Sequence, residues 1–295
     1  MNKMDRYKHI VPDFEEFKKI IQIGSPFDIR VNTIKSSAGE VKDFLKRCGL
    51  EFEQRGWNKN FLKLSDNPSK TLFHWLGNFY IQESVSGIPS LALAPESGDE
   101  VLDLCAAPGS KTTQISAMMG AEGVIVANDD KKNRVRSLLS NIYRMGCVNV
   151  KVTQKDGRDF PGSAEFDKII VDVPCSAEGN ARDQESLKNG ANLENIKKLS
   201  NLQEQLLRKA FQLCKSGGTI VYSTCTFAPE ENEFVVSKFL NRGKLIDPEF
   251  EFNHSKGITK WEGKKLDSEV SKCVRVYPHQ LNSGGIFLAK FKKET

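Results

Sequence analysis

The stretch Glu100-Val-Leu-Asp-Leu-Cys-Ala-Ala-Pro-Gly-Ser-Lys-Thr112 decides the fold, because it predicts a buried strand, a turn of small residues and the start of a helix. Further strands are predicted over 123–127, 148–153, 166–171 and 219–223, and helices over 132–145 and 193–214. Strands that alternate with helices are typical of an α/β fold with a doubly wound sheet. In such sheets, ligands bind beyond the carboxyl ends of the strands.

The residues before this stretch follow a different pattern. A strand over 28–34, an amphipathic helix over 37–48 and strands over 50–53 and 60–64 predict a small α+β unit. We therefore expect two domains, 1–94 and 95–295. Residues 254–269 are expected to form a loop or insertion before the closing strands.

The composition is that of an ordinary globular protein, with 39% hydrophobic and 27% charged residues. No apolar run is long enough to span a bilayer, and the polar start of the chain does not resemble a signal peptide. Seven cysteines without a CxxC pair argue for a reducing compartment and against a metal site, so we expect a cytoplasmic protein. The net charge of +5 is compatible with a polyanionic partner.

The turn at Ala106–Ser110 lacks the glycines of phosphate-binding loops, yet it can bring backbone amides close to a carboxylate or ribose. Asp129 ends the second strand, where an acidic side chain can hold both ribose hydroxyls, and Asp156 follows the third. A ligand with adenosine but no pyrophosphate fits this set, which indicates S-adenosylmethionine. The alternative is that Asp129 and Asp156 only cap helices.

Two further strings each place a cysteine after a predicted strand: Asp172-Val-Pro-Cys-Ser176 and Ser223-Thr-Cys-Thr226. Methylation at C5 of a pyrimidine needs a thiolate that adds at C6 and a group that holds N3, because C5 alone is a poor nucleophile. Asp172 is suited to the N3 edge of a cytosine. This chemistry leaves open whether Cys175 or Cys225 attacks. The remaining cysteines are expected to be small hydrophobic residues of the structure: Cys48, Cys105, Cys147, Cys214 and Cys273.

At this point the sequence resembles the Sun/Fmu-type (RsmB/Nop2/Sun) RNA cytosine-C5 methyltransferases, in particular their compact archaeal-type tRNA methyltransferases. The resemblance covers nearly the whole chain. The strings that carry it are Arg30–Lys35, Phe79–Ser84, Asp103–Thr112, Asp172–Gly179, Tyr222–Glu233, Arg275–His279 and Gly284–Phe287.

The resemblance implies a Rossmann-like class I methyltransferase sheet with an RRM-like N-terminal domain. It also implies that Cys225 is the nucleophile, that Cys175 assists product release, and that Lys111 orients Asp172 or the target base. The cofactor positions that it implies are Cys105, Ala106, Ala107, Pro108, Gly109, Ser110, Lys111, Asp129, Arg134, Asp156 and Asp172.

The chain departs from the family pattern at Ser110 and Ala177, where the family usually has glycine. Both residues are small, so we expect an intact site. Residues 180–192 are less typical and are expected to form a loop beside the active site whose order depends on RNA.

The implied partner is RNA, with an unpaired or flipped target cytosine, and the protein is expected to be a monomer. Transfer RNA is favoured; ribosomal RNA is the main alternative, and a catalytically silent RNA-binding assembly factor is the other. Because the N-terminal domain lacks an aromatic-rich strand, we expect phosphate and shape contacts from it more than base reading. The candidate cations are Arg30, Lys35, Lys42, Lys46, Arg47 and Arg55.

Overall fold

The computed structural model describes residues 3–162, 165–180, 182 and 192–294. Two compact units make up the chain. The middle unit comprises Pro26–Pro161 and Phe166–Ile170, and the terminal unit comprises Met1–Ser25, Gly162–Glu165 and Val171–Thr295. The boundaries of these units differ from the expected boundary after Ala94. The expected domains, 1–94 and 95–295, stay a prediction. Most of the expected loop at 180–192 lies outside the described residues.

The first part of the middle unit is a four-stranded antiparallel sheet in the order β2-β3-β1-β4. Its strands are β1 (Phe27–Val31), β2 (Phe52–Gln54), β3 (Phe61–Leu64) and β4 (Phe79–Ile81). Helix α2 (Ala38–Arg47) begins at Ser37, whose hydroxyl accepts the Glu40 amide while the Glu40 carboxylate accepts the Ser37 amide. This reciprocal cap fixes the start of α2 where the sequence predicts it. The buried side of α2 packs on the sheet through Val41 and Leu45.

The second part of the middle unit is a parallel sheet in the order β8-β5-β6-β7. Its strands are β5 (Glu100–Asp103), β6 (Val124–Asp129), β7 (Val150–Gln154) and β8 (Phe166–Asp172), whose last two residues belong to the terminal unit. The helices of the middle unit, besides α2, are α3 (Leu72–Leu76), α4 (Ile88–Leu93), α5 (Ser110–Met118) and α6 (Lys132–Met145). The predicted alternation of strands and helices is confirmed, and β6 runs on to Asp129.

The terminal unit is built around antiparallel strands in the order β11-β14-β15-β9, with β10 also paired to β15. Its strands are β9 (Cys214–Thr224), β10 (Gly243–Ile246), β11 (Ser255–Lys256), β12 (Lys260–Trp261), β13 (Lys264–Lys265), β14 (Val274–Val276) and β15 (Ile286–Lys293). Its helices are α1 (Phe14–Ile20), α7 (Leu193–Leu213), α8 (Glu233–Ser237) and α9 (Pro278–Leu281).

Residues 254–269 are more ordered than the expected loop or insertion. They contain β11 and the β12–β13 hairpin, and Trp261 is buried. The Trp261 ring stacks against Tyr7, and both belong to a cluster with Phe17, Phe227 and Tyr277. Burial of these large rings joins the first residues of the chain to the end of β14, which the sequence alone does not show.

A buried ion pair anchors the segment that follows β9. Arg275 on β14 donates two hydrogen bonds of 2.6 Å to the two carboxylate oxygens of Glu233, and both side chains are nearly inaccessible. Arg275 also donates to the Phe227 carbonyl at 3.1 Å. Such a pair holds its geometry well, but losing one partner leaves a buried charge uncompensated.

We predict that Arg275→Met lowers the free energy of unfolding by about 3 kcal/mol, measured in urea, because it leaves the Glu233 carboxylate buried without a counter-charge. The double variant Arg275→Met/Glu233→Gln removes both charges and should recover much of this loss. A double variant that is no more stable than Arg275→Met would contradict this explanation.

Candidate active site

The two cysteines singled out by the sequence lie next to each other in the terminal unit. Cys175 comes three residues after β8, and Cys225 follows β9 directly. Their sulfur atoms are 3.2 Å apart, and the amide of Cys225 donates to the Cys175 sulfur at 3.3 Å. Both residues are half-buried and neither is in a disulfide. A pair of thiols at this distance can share a proton and therefore divide two chemical roles between them.

Backbone bonds hold the two cysteine loops together. The amide of Val173 donates to the Ser223 carbonyl at 3.1 Å, and the amide of Gly179 donates to the Cys225 carbonyl at 2.7 Å. Gly179 has no room for a side chain, since a Cβ there would lie 2.3 Å from the Gly285 carbonyl oxygen. The strings Asp172–Gly179, Tyr222–Glu233 and Gly284–Phe287 are therefore parts of one packed structure.

Asp172 ends β8 and is half-buried. The hydroxyl of Ser223 donates to its Oδ1 at 2.7 Å. This bond fixes the orientation of the carboxylate, as expected of a group that recognises one edge of a base.

Glu231 connects the cysteine loops to helix α7. Its Oε2 accepts the Ser176 amide at 3.1 Å and the Gln203 side-chain amide at 2.7 Å. Gln203 also donates to the Pro174 carbonyl at 2.9 Å, and the Tyr222 hydroxyl donates to the Glu231 carbonyl at 2.5 Å. The residues on both sides of Cys175 are thus held by one buried carboxyl group and its amide partner.

The electrostatic surroundings of the pair are asymmetric. The contact with the Cys225 sulfur raises the pKa of the Cys175 thiol, and burial and the charges of Cys225 and Glu231 raise it further. Burial raises the pKa of Glu231 to about 7, against the hydrogen bonds from Ser176 and Gln203. Cys175 therefore tends to keep its proton while the pair is intact.

A second buried carboxyl group, Glu178, lies on the other side of the loops. It accepts hydrogen bonds from the hydroxyls of Tyr7 at 2.7 Å and Thr226 at 2.9 Å, and burial raises its pKa. The Thr226 hydroxyl also lies 2.7 Å from that of Ser176. The N-terminal segment thus contributes a side chain to the support of the loop after Cys225.

From the sequence alone, no role is assigned to Glu231, Glu178 or Gln203. A signal for Glu231 exists, because Pro229-Glu-Glu-Asn-Glu233 has three acidic residues and begins five residues after the end of the buried strand β9, and Glu231 and Glu233 are buried. Gln203 lies on the apolar side of α7, between Ile196 and Leu207, where a polar residue needs a partner.

In the middle unit, the turn after β5 is tied to the end of β6. The amide of Ala107 donates to the Asp129 carboxylate at 3.2 Å, and Arg134 donates to the Ala107 carbonyl at 2.6 Å. Arg134 also lies 3.4 Å from Asp129. Burial raises the pKa of the Asp129 carboxyl. The structure thus brings together three of the expected cofactor positions, Ala107, Asp129 and Arg134, and the Asp129 carboxylate can accept hydrogen bonds from hydroxyl groups.

Gly109 lies at the start of α5 with a φ of 105°, in the region that favours glycine. A Cβ there would lie 2.9 Å from the Leu138 side chain of α6, so the turn packs tightly on that helix. Ser110 and Lys111 begin α5, and Lys111 is buried with its charge near Tyr80. The turn has the small residues and helix N-terminus that the sequence analysis expected, with serine accommodated at 110.

Asp156 follows β7 and is the least distinctive of the cofactor positions. It caps a short 3₁₀ turn by accepting the Arg158 amide at 2.9 Å, and its ion pair with the Arg158 side chain lowers its pKa. Asp129 likewise accepts the Lys131 amide at 3.3 Å. The capping roles allowed for both residues are present in the structure, and a cofactor role for either one stays a prediction.

Two of the cations expected to contact RNA phosphates are structural instead. Arg55 is buried and forms a bidentate ion pair with Asp28, and buried Arg30 donates to the Thr113 hydroxyl at 2.9 Å. The expectation is wrong for these two, because their side chains satisfy buried partners. Lys35 donates to two backbone carbonyls, Lys42 donates to Gln54, and Lys46 and Arg47 are exposed.

The other cysteines are of two kinds. Cys147, Cys214 and Cys273 are buried and Cys105 is half-buried, in line with a packing role. Cys48 is exposed because it caps the end of α2, so its expected place in a core is wrong. Among the described residues there is no cluster of side chains that could hold a metal ion, and no helix is long and apolar enough to cross a membrane.

Known proteins resemble this chain over most of its length. The family model for the 16S rRNA methyltransferases RsmB/F matches residues 90–292. A tRNA (cytosine(49)-C(5))-methyltransferase of Pyrococcus abyssi is 35% identical over 98% of this chain and 95% of its own length. The ribosomal RNA small subunit methyltransferase F of Vibrio parahaemolyticus is also 35% identical, over 98% of this chain and 62% of its own.

The crystal structure of NSun6 from Pyrococcus horikoshii with SFG is similar to the whole chain, with a TM-score of 0.88 at 25% identity. The match covers 100% of this chain and 98% of the NSun6 chain. The fold is thus the Rossmann-like α/β fold of methyltransferases. The chain spans between about a third and two thirds of the length of several rRNA relatives that it matches.

We predict that Glu231 makes the protein less stable as the pH rises. Its pKa of about 7 in the folded state exceeds the ordinary value of 4.5, so the folded state holds the proton more tightly than the unfolded state does. The free energy of unfolding therefore falls as the pH rises from 4.5 to about 7, and this group accounts for about 3 kcal/mol of the fall. The difference in stability between Glu231→Gln and wild type should therefore grow in favour of the variant from pH 5 to pH 8, as measured by urea unfolding.

Glu204→Gln is the matched control for this experiment. Its hydrogen bond with Lys238 lowers the pKa of Glu204, so the charged form stabilises the folded state and its loss should cost stability at pH 8. Equal pH dependence in Glu231→Gln and wild type would show that Glu231 is not buried as described.

We predict that Ala177→Gly stabilises the protein by up to about 1 kcal/mol. Ala177 has a φ of 59°, where an alanine side chain is strained and glycine is not, although glycine has more conformational entropy to lose on folding. Thermal unfolding measures the effect. Ala117→Gly within α5 is the control and should destabilise by about 1 kcal/mol. A loss of stability in both variants would contradict the strained conformation at Ala177.

Proposed function

Because this chain belongs to the RsmB/F methyltransferase family, we propose that it transfers a methyl group from S-adenosylmethionine to C5 of a cytosine in RNA. The observation that carries the proposal is the pair of thiols of Cys175 and Cys225, 3.2 Å apart. A silent RNA-binding scaffold has no chemical need for two thiols held in contact, which argues against the assembly-factor alternative.

In this proposal Cys225 is the nucleophile. The raised pKa of Cys175 disfavours it as the thiolate of the pair, which supports attack by Cys225 at C6 of the base. Asp172, oriented by Ser223, shares a proton with N3 of the base, and this proton neutralises the negative charge that develops on the ring when the thiolate adds. Addition at C6 makes C5 nucleophilic toward the methyl group.

Cys175 then assists removal of the C5 proton. Once Cys225 carries the base as a neutral thioether, it no longer contributes the charge and hydrogen bond that raise the pKa of Cys175. The Cys175 thiol becomes a better proton acceptor at the step that needs one. Loss of the C5 proton restores the ring's double bond and expels the Cys225 thiolate.

The proposed cofactor site is the turn after β5 together with Asp129. When bound there, S-adenosylmethionine supplies the methyl group as an electrophile. Asp129 would accept the ribose hydroxyls, and the turn at Ala106–Ser110 would offer backbone amides at the start of α5. The bound analogue in the NSun6 structure, SFG, supports a cofactor of this type.

We propose transfer RNA as the substrate, since one relative that this chain matches over nearly its full length is named as a tRNA methyltransferase. The rRNA relatives are mostly longer than the chain, although the matching family model keeps ribosomal RNA as the second candidate. Bisulfite sequencing of RNA from a strain that lacks the protein should show one unmethylated cytosine in tRNA. Loss confined to rRNA would reverse this preference.

The central test is cysteine replacement in the presence of RNA and a labelled methyl donor. Cys225→Ala should abolish methyl transfer while RNA binding persists. Cys175→Ala should accumulate a protein–RNA adduct that survives denaturation, because release is blocked after attack. Cys48→Ala, which removes an exposed thiol on α2, is the control and should methylate at the wild-type rate. An adduct in Cys225→Ala instead would overturn the assigned roles.

A further inference from the structure

Helices α3 and α6 expose large apolar side chains that belong to no described core. Trp75 is 73% exposed and Tyr143 is 77% exposed. Leu72 and Leu76 on α3 and Val148 just after α6 are also exposed. We call these five residues the α3–α6 surface. Single exposed apolar side chains are ordinary on proteins, so the informative feature is that these five lie on or beside two helices whose ends meet.

The backbone beneath this surface is rigid and continuous. Lys35 donates to the carbonyls of Leu76 at 2.9 Å and Arg144 at 2.7 Å, so it joins the ends of the two helices. The side-chain amide of Asn32 joins the next residue of each helix end, since it donates to the Gly77 carbonyl at 2.8 Å and to the Met145 carbonyl at 2.7 Å. Trp75 and Tyr143 are therefore presented from fixed helix ends.

The charge of the surrounding segments is mostly positive. Residues 67–82 and 131–155 together contain eight Lys or Arg residues and no Asp or Glu. Arg136 is exposed and precedes Tyr143 by seven residues, so it lies two turns away on the same side of α6, at a rise of about 10 Å. Helix α2, stacked on α3 through Phe44 and Phe73, adds three cations and two carboxylates.

We propose that the α3–α6 surface binds a single-stranded segment of the RNA substrate, with bases stacked on Trp75 and Tyr143 and phosphates held by Arg136 and its exposed neighbours. Aromatic rings interleaved with cations suit this ligand, because every base has a face to stack and every nucleotide has a negative charge. Two copies of the same cationic face would repel each other, which disfavours a second copy as occupant. The inference rests on the proposed function only in taking RNA as the substrate.

The α3–α6 surface adds base stacking to the phosphate contacts expected of the middle unit. From the sequence, we expect phosphate and shape contacts more than base reading, since the N-terminal segment has no aromatic-rich strand of the kind that stacks bases. The exposed rings lie on helices instead, and stacking of one base on an aromatic side chain contributes about 1–3 kcal/mol. Removal of either ring should therefore weaken RNA binding about tenfold.

The test measures RNA affinity and steady-state methylation in Trp75→Ala, Tyr143→Ala and Arg136→Glu. We expect a rise of about tenfold in Kd and KM for the aromatic variants, with kcat unchanged. Arg136→Glu should also reduce the salt dependence of binding. Trp75→Phe and Tyr143→Phe keep a ring and should bind RNA nearly as well as wild type, which a loss of folding would not explain.

Val124→Ala and Lys244→Glu are the controls, since they remove an exposed apolar side chain and an exposed cation elsewhere, and both should behave as wild type. Unchanged Kd and KM in active Trp75→Ala and Tyr143→Ala would overturn the inference while the proposed function stands. Dimers in wild type that dissociate in Trp75→Ala, with RNA affinity unchanged, would assign the surface to a second copy. Wild-type protein that binds RNA through Trp75 but methylates none would refute the proposed function alone.

Discussion

The arrangement of the two thiols depends on one buried carboxyl group. Glu231 holds the Ser176 amide and the Gln203 side chain, and Gln203 holds the Pro174 carbonyl, so the backbone on both sides of Cys175 is fixed. Glu231 is itself six residues beyond Cys225. A single side chain therefore constrains both cysteine loops, and the 3.2 Å contact between the sulfur atoms follows from that constraint.

The same segment is stabilised at a second point by a complete ion pair. Glu233 is bonded to Arg275 through both carboxylate oxygens, whereas Oε2 of Glu231 accepts hydrogen bonds from the Ser176 amide and the Gln203 side chain. Burial therefore acts differently on two neighbouring acids. Glu233 has a buried arginine as its partner, while burial raises the pKa of Glu231 to about 7, and the charge of Glu231 in turn raises the pKa of Cys175. A group that titrates near neutrality beside a reactive thiol is typical of a catalytic site.

Much of the fold follows from local patterns in the sequence. Helix α6 ends at Gly146 and α2 begins at Ser37, because glycine and serine have definite preferences at helix ends. The family was identified from strings such as Tyr222–Glu233, and the comparisons confirm it. The structural roles of Arg30 and Arg55 could not be predicted, since their partners Thr113 and Asp28 lie 83 and 27 residues away.

The sequence by itself determined the α/β class, the family and the two cysteines that carry the proposed chemistry, because periodicity and motifs are properties of short segments. Tertiary structure alone decided which groups surround those cysteines. Burial and contacts across long separations set the pKa of Glu231 and Cys175, joined Tyr7 to Glu178, and brought the ends of α3 and α6 together. Desolvation and side-chain pairing depend on distances in space, and no local pattern in a sequence encodes them.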